Sequence, residues 1–421
     1  MSVETQLPVI ILFVFYSAIM SELNSILMIV SSGFILQLLQ EVYDDNDLIH
    51  HIFPAPFHAV ALRTVAFIVL IQYTFSIILP HDEVVIQNAS GEREKKKVNG
   101  FASFILLLLL YVLGSTLKLY KGSIIFEHWT EILSLLNVLA FVAVIVLYIK
   151  AQIGQVINGS DPICDIYFGS ELSPVIYNVD IKHFVTYRIA FPLWALYDLS
   201  ALYQNSKTSG KLNVCLLGCV LLQLTYIGRT LWFEHLHYTR LDSQNDKAGF
   251  YRIWGVLVFL PTLYVTPVTI IAQQKRSILL PFMVVLFILS LIAMYLNADI
   301  DRQKFNFRQS NGLIKIWGKD PFFINAKFRK ENGDAGVSLL LGSGWWCFSR
   351  HLNYLTEWLC FLFWTFIQGK SASLTYLPLI FLGLFLYFRM KRDETRCLAK
   401  YGQQWLQYTN RVPFLLIPNV Y

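Results

Sequence analysis

Apolar runs of about 20 residues recur along almost the whole chain, and nothing else in it limits the fold so severely. FASFILLLLLYVLGSTLKLY at 101–120 is one of them. Roughly ten can be marked, at 8–38, 57–79, 101–120, 127–150, 184–204, 212–233, 251–273, 278–297, 353–369 and 373–390. Hydrocarbon offers no partner to a bare N–H or C=O group, so a spanning run must satisfy its backbone internally and is expected to be helical. The expected fold class is therefore all-α, a polytopic membrane protein with about ten transmembrane helices. Segments 31–40 and 338–350 are candidates for half-helices. With 55% hydrophobic residues, 15% charged residues and a mean hydropathy of +0.51, the chain is not expected to be soluble. No charged segment with a small-residue cleavage site precedes the first run, which is expected to stay as a helix.

Loop lysines and arginines set the expected orientation. Segment 299–335 carries Arg302, Lys304, Arg308, Lys315, Lys319, Lys327, Arg329 and Lys330, and the tail carries Arg389, Lys391, Arg392, Arg396 and Lys400. Both are expected to be cytosolic, and with ten spans so are both termini. The EREKKK loop at 92–97 falls on the same side; the acidic loop 41–51 falls on the other. Lys118 and Lys121 fit this scheme less well. The sequons at Asn88 and Asn158 then lie in the cytosol and are not expected to be used.

The chain reads as one membrane domain over 1–421, with plain apolar spans in 1–160 and polar residues interspersed through 161–421, where function is expected. Six cysteines, at 164, 215, 219, 347, 360 and 397, lack metal-ligand spacing, and no metal is expected. Cys215 and Cys219 share one helical face and read as core. Glu22 and Arg63, inside spans, read as helix-end or snorkelling residues.

A denser cluster surrounds Trp232 and Tyr238: Arg229, Glu234, His235, His237, Arg240, Asp242 and Asp246. Two readings stand here, a solvated interfacial loop and a cavity lined by water or substrate. A further concentration lies near the C-terminus. Lys304 and Arg308 are four apart, so a helix would put both cations on one face. Then come Trp317, the stretch LGSGWWCFSRHLNY at 341–354, and DETRCLAKY at 393–401, in which Asp393, Cys397, Lys400 and Tyr401 share a face. Cations serving only topology or lipid headgroups would not need Trp346, Asn353, Tyr354, Cys397 and Tyr408 among them. A ligand both aromatic and multiply phosphorylated, such as a dinucleotide, suits the set better. There is no GxGxxG and no P-loop, so such a site is not of Rossmann type.

GSGWWCFSRHLNY followed by RDETRCLAKYGQQWLQYTNRVPFLLIPNVY resembles the end of the membrane sterol reductases, the family of the sterol Δ14-, Δ7- and Δ24(28)-reductases and the lamin B receptor's C-terminal domain. DIYFGSELSP with DIKHFVTYR at 165–188, and LPHDEVVIQ with VNGF at 79–101, extend the likeness over essentially the whole chain. IIFEHW, GFYRIWG and NGLIKIWGKDP are most similar to the 7-dehydrocholesterol reductase branch. The resemblance implies an endoplasmic reticulum enzyme that reduces a sterol ring double bond with NADPH bound in the cytosol-facing C-terminal half. The implied cofactor residues are Lys304, Arg308, Leu341, Trp346, Asn353, Tyr354, Asp393, the segment Cys397–Tyr401 with Lys400 and Tyr401, and Tyr408; Arg350 joins them as a polar contact to the phosphorylated cofactor.

A ring double bond without a neighbouring carbonyl is not polarised, so hydride adds only after a proton has made a carbocation. Glu234, Asp242 and Asp246 are the proton-donor candidates, with Trp232, Tyr251 and Trp254 as aromatic walls for the cation.

The chain departs from the family pattern on this side. Arg229 stands where an Asp is usual, Asn245-Asp246 followed by Lys247-Ala248 replaces a His-Asp element, Val256 replaces an Asp, Thr356-Glu357 replaces Gly-Asp, and Asp301 replaces an Asn. These changes leave three readings: Δ7 reduction, Δ14 reduction, and a paralogue that binds sterol and NADPH with impaired turnover. A non-catalytic scaffold and a transporter are competing classes; the first lacks a basic Ser/Arg-rich extension here, and the second would need paired broken helices. The expected partners are the sterol substrate, membrane lipid and another sterol-pathway membrane protein in complex, with no nucleic acid.

Overall fold

The computed structural model describes residues 57–87, 93–156, 161–210, 212–273, 278–330, 333–367, 373–418 and 420. The first apolar run, the candidate half-helix 31–40, Glu22, the acidic loop 41–51, Glu92, Asn88 and Asn158 lie outside them. The described chain is mostly helical. In order it forms α1 (Ala59–Ile78), the hairpin β1 (Asp82–Gln87) and β2 (Arg93–Val98), α2 (Gly100–Thr116), α3 (Trp129–Ile153), α4 (Phe191–Ser209), α5 (Val214–Trp232) and α6 (Phe250–Gln273). Then follow α7 (Leu280–Gln309), the hairpin β3 (Phe323–Arg329) and β4 (Ala335–Leu341), α8 (Leu352–Phe366), α9 (Leu377–Tyr401) and α10 (Gln403–Arg411).

Five of these, α1, α3, α5, α6 and α7, are long and apolar enough to cross a membrane; α2 is apolar but only 17 residues long. Among the described residues the other expected spans correspond to α4, which carries Asp198, to α8, which has 15 residues, and to α9, whose last turns are charged.

Two expectations need correction. Segment 338–350 is no half-helix: it is the end of β4 followed by a single 3-10 turn at Gly344–Cys347. The basic segments read as loops contain antiparallel hairpins, Asp82 pairing Val98 through Gln87 pairing Arg93, and Phe323 pairing Leu341 through Arg329 pairing Ala335. Outside hydrocarbon a sheet edge can meet water, so the rule that forces helices inside a membrane does not extend to these segments.

The described residues fall into two compact units. The first draws on the described residues within 57–79, 100–212 and 245–272. Its helices are joined by apolar faces and a few buried polar links, such as Ser103 Oγ donating to Gln72 Oε1 at 2.8 Å between α2 and α1. Two helical stretches widen into π turns, Val185–Ala190 and Gly255–Phe259, each followed closely by a proline, Pro192 and Pro261. A proline lacks the N–H and its ring crowds the preceding turn, so the helix relieves it by widening. In the same unit the DIYFGSELSP element meets the start of α6 backbone to backbone. A Cβ on Gly169 (φ +95°) would lie 2.5 Å from Gly249 N, and Ala248 N donates to Glu171 O at 2.9 Å. Only glycine fits at both positions.

The second unit draws on Pro80–Asn99, Asn213–Gln244 and Gln273–Tyr421. Asn213 caps α5, its Oδ1 accepting from Cys215 N and Leu216 N. α7 packs against α5 and α8, and α10 against β3 and α9. Gln309, at the end of α7, donates to Val85 O at 2.6 Å and so ties in the first hairpin.

Candidate functional site

All twelve implied cofactor residues lie in the second unit, on α7, the end of β4, the 3-10 turn, α8, α9 and α10, with Arg350 in the turn before α8. The organising element is α7. Asn297, Asp301, Lys304 and Arg308 recur at helical spacing on one face, and each has a defined partner or environment. Asn297 Nδ2 donates to Asn353 O at 2.7 Å and to Thr356 Oγ1 at 3.3 Å, which fixes the first turn of α8. Asp301 accepts from Asn353 Nδ2 at 2.9 Å and faces Arg240 at 3.5 Å.

The 3-10 turn is fastened to the same helix. Trp345 N donates to Gln303 Oε1 at 2.9 Å, Trp345 Nε1 to Asp299 Oδ2 at 2.8 Å, and Trp346 Nε1 to Ile300 O at 3.1 Å. Gly344 (φ +65°) allows this, since a Cβ there would sit 2.3 Å from Gln303 Oε1. Trp346 is thereby buried with its ring under Lys304, whose Nζ is 4.1 Å from the ring centroid. Arg308 donates through Nε to Leu339 O at 3.2 Å. Among the described residues neither Lys304 nor Arg308 makes an ion pair, although Asp301 and Asp393 attract Lys304 from farther off.

A second wall comes from α9 and α10. Cys397, Tyr401, Trp405 and Tyr408 pack with Ala326 and Leu340 of the hairpin. Tyr408 Oη donates to Leu341 O at 2.9 Å. Lys400 lies 3.9 Å from the Phe328 ring centroid. Tyr354 stacks on His351 and lies 5.2 Å from the Arg389 guanidinium.

Arg350 fastens the chain's end. Its Nε and Nη2 donate to Glu394 at 2.9 and 3.2 Å, and its Nη1 donates to Val412 O and Pro413 O at 2.6 and 2.9 Å. Arg350 N and His351 N also donate to Phe414 O and Leu415 O, both at 3.0 Å.

These surroundings bias the ionisable groups. Burial works to raise the Asp393 carboxyl, but Arg396 and His351 outweigh it and hold it below the usual range. Burial likewise opposes the lowering of Glu394, where His351 and Arg350 prevail. Burial, reinforced by Asp393, pushes the Cys397 thiol up to about 12. Burial and Arg396 lower the Lys400 ammonium, and burial raises the Tyr408 phenol. The result is a neutral thiol, neutral phenols and ionised carboxylates around two cations and a buried indole. Such a surface can take an anionic ligand with a flat ring system, by charge-assisted hydrogen bonds and ring contacts.

The proton-donor candidates are distributed differently. Glu234 is 1% exposed in the second unit, and Asp242 there forms an ion pair with Arg389 at 2.9 Å. Asp246 belongs to the first unit, where its carboxylate accepts from Tyr251 Oη and its carbonyl from Lys182 Nζ at 2.8 Å. Trp254 of that unit stacks on Phe250 and donates to Asn137 Oδ1 at 2.8 Å, whereas Trp232, in the second unit, is 61% exposed.

The two departures at 229 and 356–357 meet in space. Arg229 of α5 faces Glu357 of α8 at 3.5 Å, donates to Asn297 Oδ1 at 2.7 Å and to Met294 O at 3.1 Å, and lies 4.8 Å from the Tyr226 ring centroid. Tyr226 Oη donates to the same carboxylate. The cation at 229 is therefore matched by an anion at 357, and the pair shares Asn297 with the turn that carries Asn353. Sequence reasoning missed Asn297, Gln303 and Glu394. The helical spacing from Asn297 to Arg308 was the available signal for the first.

A sequence profile of the Ergosterol biosynthesis ERG4/ERG24 family matches residues 1–421. Among curated proteins, the chain is 33% identical over 337 residues to a 7-dehydrocholesterol reductase of Arabidopsis thaliana, covering 79% of this chain and 78% of that protein. It is 28% identical over 374 residues to a Delta(14)-sterol reductase of Methylotuvimicrobium alcaliphilum, covering 88% and 85%. It is also 28% identical over 340 residues to a 7-dehydrocholesterol reductase of Danio rerio, covering 79% and 71%.

Proposed function

The chain belongs to the ERG4/ERG24 sterol reductase family, and on that premise we propose that it reduces a sterol ring double bond with NADPH, the Δ7 bond of a 7-dehydrocholesterol-type sterol. The observation that carries the cofactor reading is the pair Lys304 and Arg308, on one face of α7 beside buried Trp346 and without ion-pair partners among the described residues. That donor set fits the phosphates of a dinucleotide, for which fixed cations at helical spacing supply charge-assisted hydrogen bonds. Trp346, Tyr354, Tyr401 and Tyr408 would flank its rings, and Leu341 and Asn353 would border it through backbone and amide groups. Asp393, Cys397 and Lys400 line the facing helix. In this reading Arg350 acts by holding the C-terminal segment behind Tyr408, because its donors are directed at Glu394, Val412 and Pro413.

NADPH, when bound, supplies the hydride. The protein's own residues must deliver a proton to the ring and shelter the resulting carbocation from water. Asp242 is engaged by Arg389 at 2.9 Å, so its carboxylate is already committed to that contact. Glu234, 1% exposed and in the same unit as the cofactor residues, is therefore the stronger proton carrier in this proposal. The Arg229–Glu357 pairing supports an active enzyme over an impaired one, since the cation that replaces the usual Asp leaves no uncompensated charge. The site is assigned to the cytosolic side of the endoplasmic reticulum membrane on the strength of the lysines and arginines in 299–335 and after 388.

The test is expression in cells lacking their own sterol reductase, with sterols profiled by mass spectrometry. Consumption of the Δ7 sterol is the expected outcome. Consumption of a Δ8,14 sterol in its place would select Δ14 reduction, and consumption of neither would refute the enzyme reading.

A further inference from the structure

At the start of α1 and α3 in the first unit, three side chains with metal-ligand chemistry converge. His58 precedes α1, His128 precedes α3, and Glu131 lies in the first turn of α3, three residues after His128. The chain between α1 and α3 runs once through α2, which returns it to the end where α1 began. One ligand atom from each of the three residues lies within 4.8 Å of the other two. His128 Nδ1 and Glu131 Oε1 are 3.4 Å apart. The ligands of a tetrahedral zinc ion, bound at about 2.0–2.1 Å, are spaced at about 3.3–3.4 Å, so this pair already has the edge such a site requires. The His58 and His128 rings face each other at 5.1 Å between centroids. His58 Nδ1 is buried and makes no hydrogen bond among the described residues, an imidazole nitrogen desolvated without compensation. The α1 and α3 helices pack against each other, which holds the three side chains at one end of the pair.

We propose that His58, His128 and Glu131 form a binding site for a divalent transition-metal cation of zinc type. Two imidazoles and one carboxylate select borderline cations such as Zn²⁺ over Mg²⁺ or Ca²⁺, which favour all-oxygen shells. Three protein ligands leave one tetrahedral position for water. The bound ion clamps the start of α1 to the start of α3. Neither the cofactor residues nor the proton-donor candidates take part, so the proposal stands independently of the reductase reading.

The test uses the full chain purified in detergent, stripped with a chelator and titrated with Zn²⁺ alone, with bound metal counted by mass spectrometry and the coordination read from Co²⁺ absorption. One equivalent per chain is expected, together with a higher unfolding temperature on metal addition. Glu131→Gln, which keeps the size of the side chain, and His58→Gln should each weaken binding at least about tenfold. Should His58→Gln fail to fold, Glu131→Gln decides alone. No metal uptake by the wild-type chain, or uptake unchanged by Glu131→Gln, would overturn the proposal.

Discussion

Glu357→Gln tests the coupling between the two departures from the family pattern. Arg229 and Glu357 have side chains only 11% and 13% exposed, so screening by water is slight and removal of one partner strands a buried charge. Breaking such a pair costs about 3–5 kcal/mol. The lower end applies to Glu357→Gln, because Asn297 Oδ1 and Met294 O continue to accept from the Arg229 guanidinium. A loss of about 3 kcal/mol is expected for Glu357→Gln and one of about 4–5 kcal/mol for Arg229→Met, which leaves the Glu357 carboxylate with Tyr226 as its partner. The double variant Arg229→Met/Glu357→Gln removes both charges and should cost less than the two single changes together. The three chains would be compared in detergent micelles by denaturant titration followed through tryptophan fluorescence, and NADPH affinity measured beside it, since Asn297 links the pair to Asn353. A coupling of about 2 kcal/mol or more is expected. Single effects that add to within about 0.5 kcal/mol in the double variant would refute the claim that the two positions compensate each other.

The remaining expectations are local. Gly344→Ala forces a side chain into the left-handed region, at about 1–2 kcal/mol, and breaks the Gln303 hydrogen bond, about 1 kcal/mol more; the double variant Gln303→Ala/Gly344→Ala should recover part of the loss in a melting curve. Glu394 has a lowered pKa in the folded chain, so its contribution to stability is present above the ordinary carboxylate value of 4.5 and is lost as pH falls below it. The melting temperature should therefore drop more steeply in acid for the wild type than for Glu394→Gln; parallel curves would contradict this. The Cys397 thiol, pushed up to about 12 and buried, should resist iodoacetamide at neutral pH while exposed Cys347 is alkylated, as peptide mapping would reveal.

The spanning helices were legible because a helix that crosses lipid must be apolar along its whole length, and α1, α3, α5, α6 and α7 have that composition. The β3–β4 hairpin carried a weaker signal. Asn332-Gly333 lies between two short runs, which is a turn dipeptide for a hairpin, but the dominance of helical segments on either side masked it. The residues proposed to hold the cofactor came one by one from resemblance, and Lys304 and Arg308 from spacing as well. What one sequence cannot display is pairing across long separations. Arg229 and Glu357, or His58 and His128, have no spacing rule to connect them, and only packing of α5 on α8 and of α1 on α3 brings them together. Taken alone, Arg229 looked like damage to a proton-donating site; with Glu357 beside it, it is half of an ion pair.

The central claim is that the α7 cations hold the cofactor of a sterol reductase. Its most direct test is turnover by the purified chain of 7-dehydrocholesterol with NADPH, followed as loss of the conjugated diene against cofactor oxidised, in the wild type and in Lys304→Ala and Arg308→Ala. Each charge-assisted contact is worth about 1.5–3 kcal/mol, so each variant should raise the NADPH dissociation constant roughly 10- to 100-fold, with diene loss matching NADPH oxidation one for one in the wild type. Diene left unconsumed by the wild-type chain, or NADPH affinity unchanged in both variants, would contradict it.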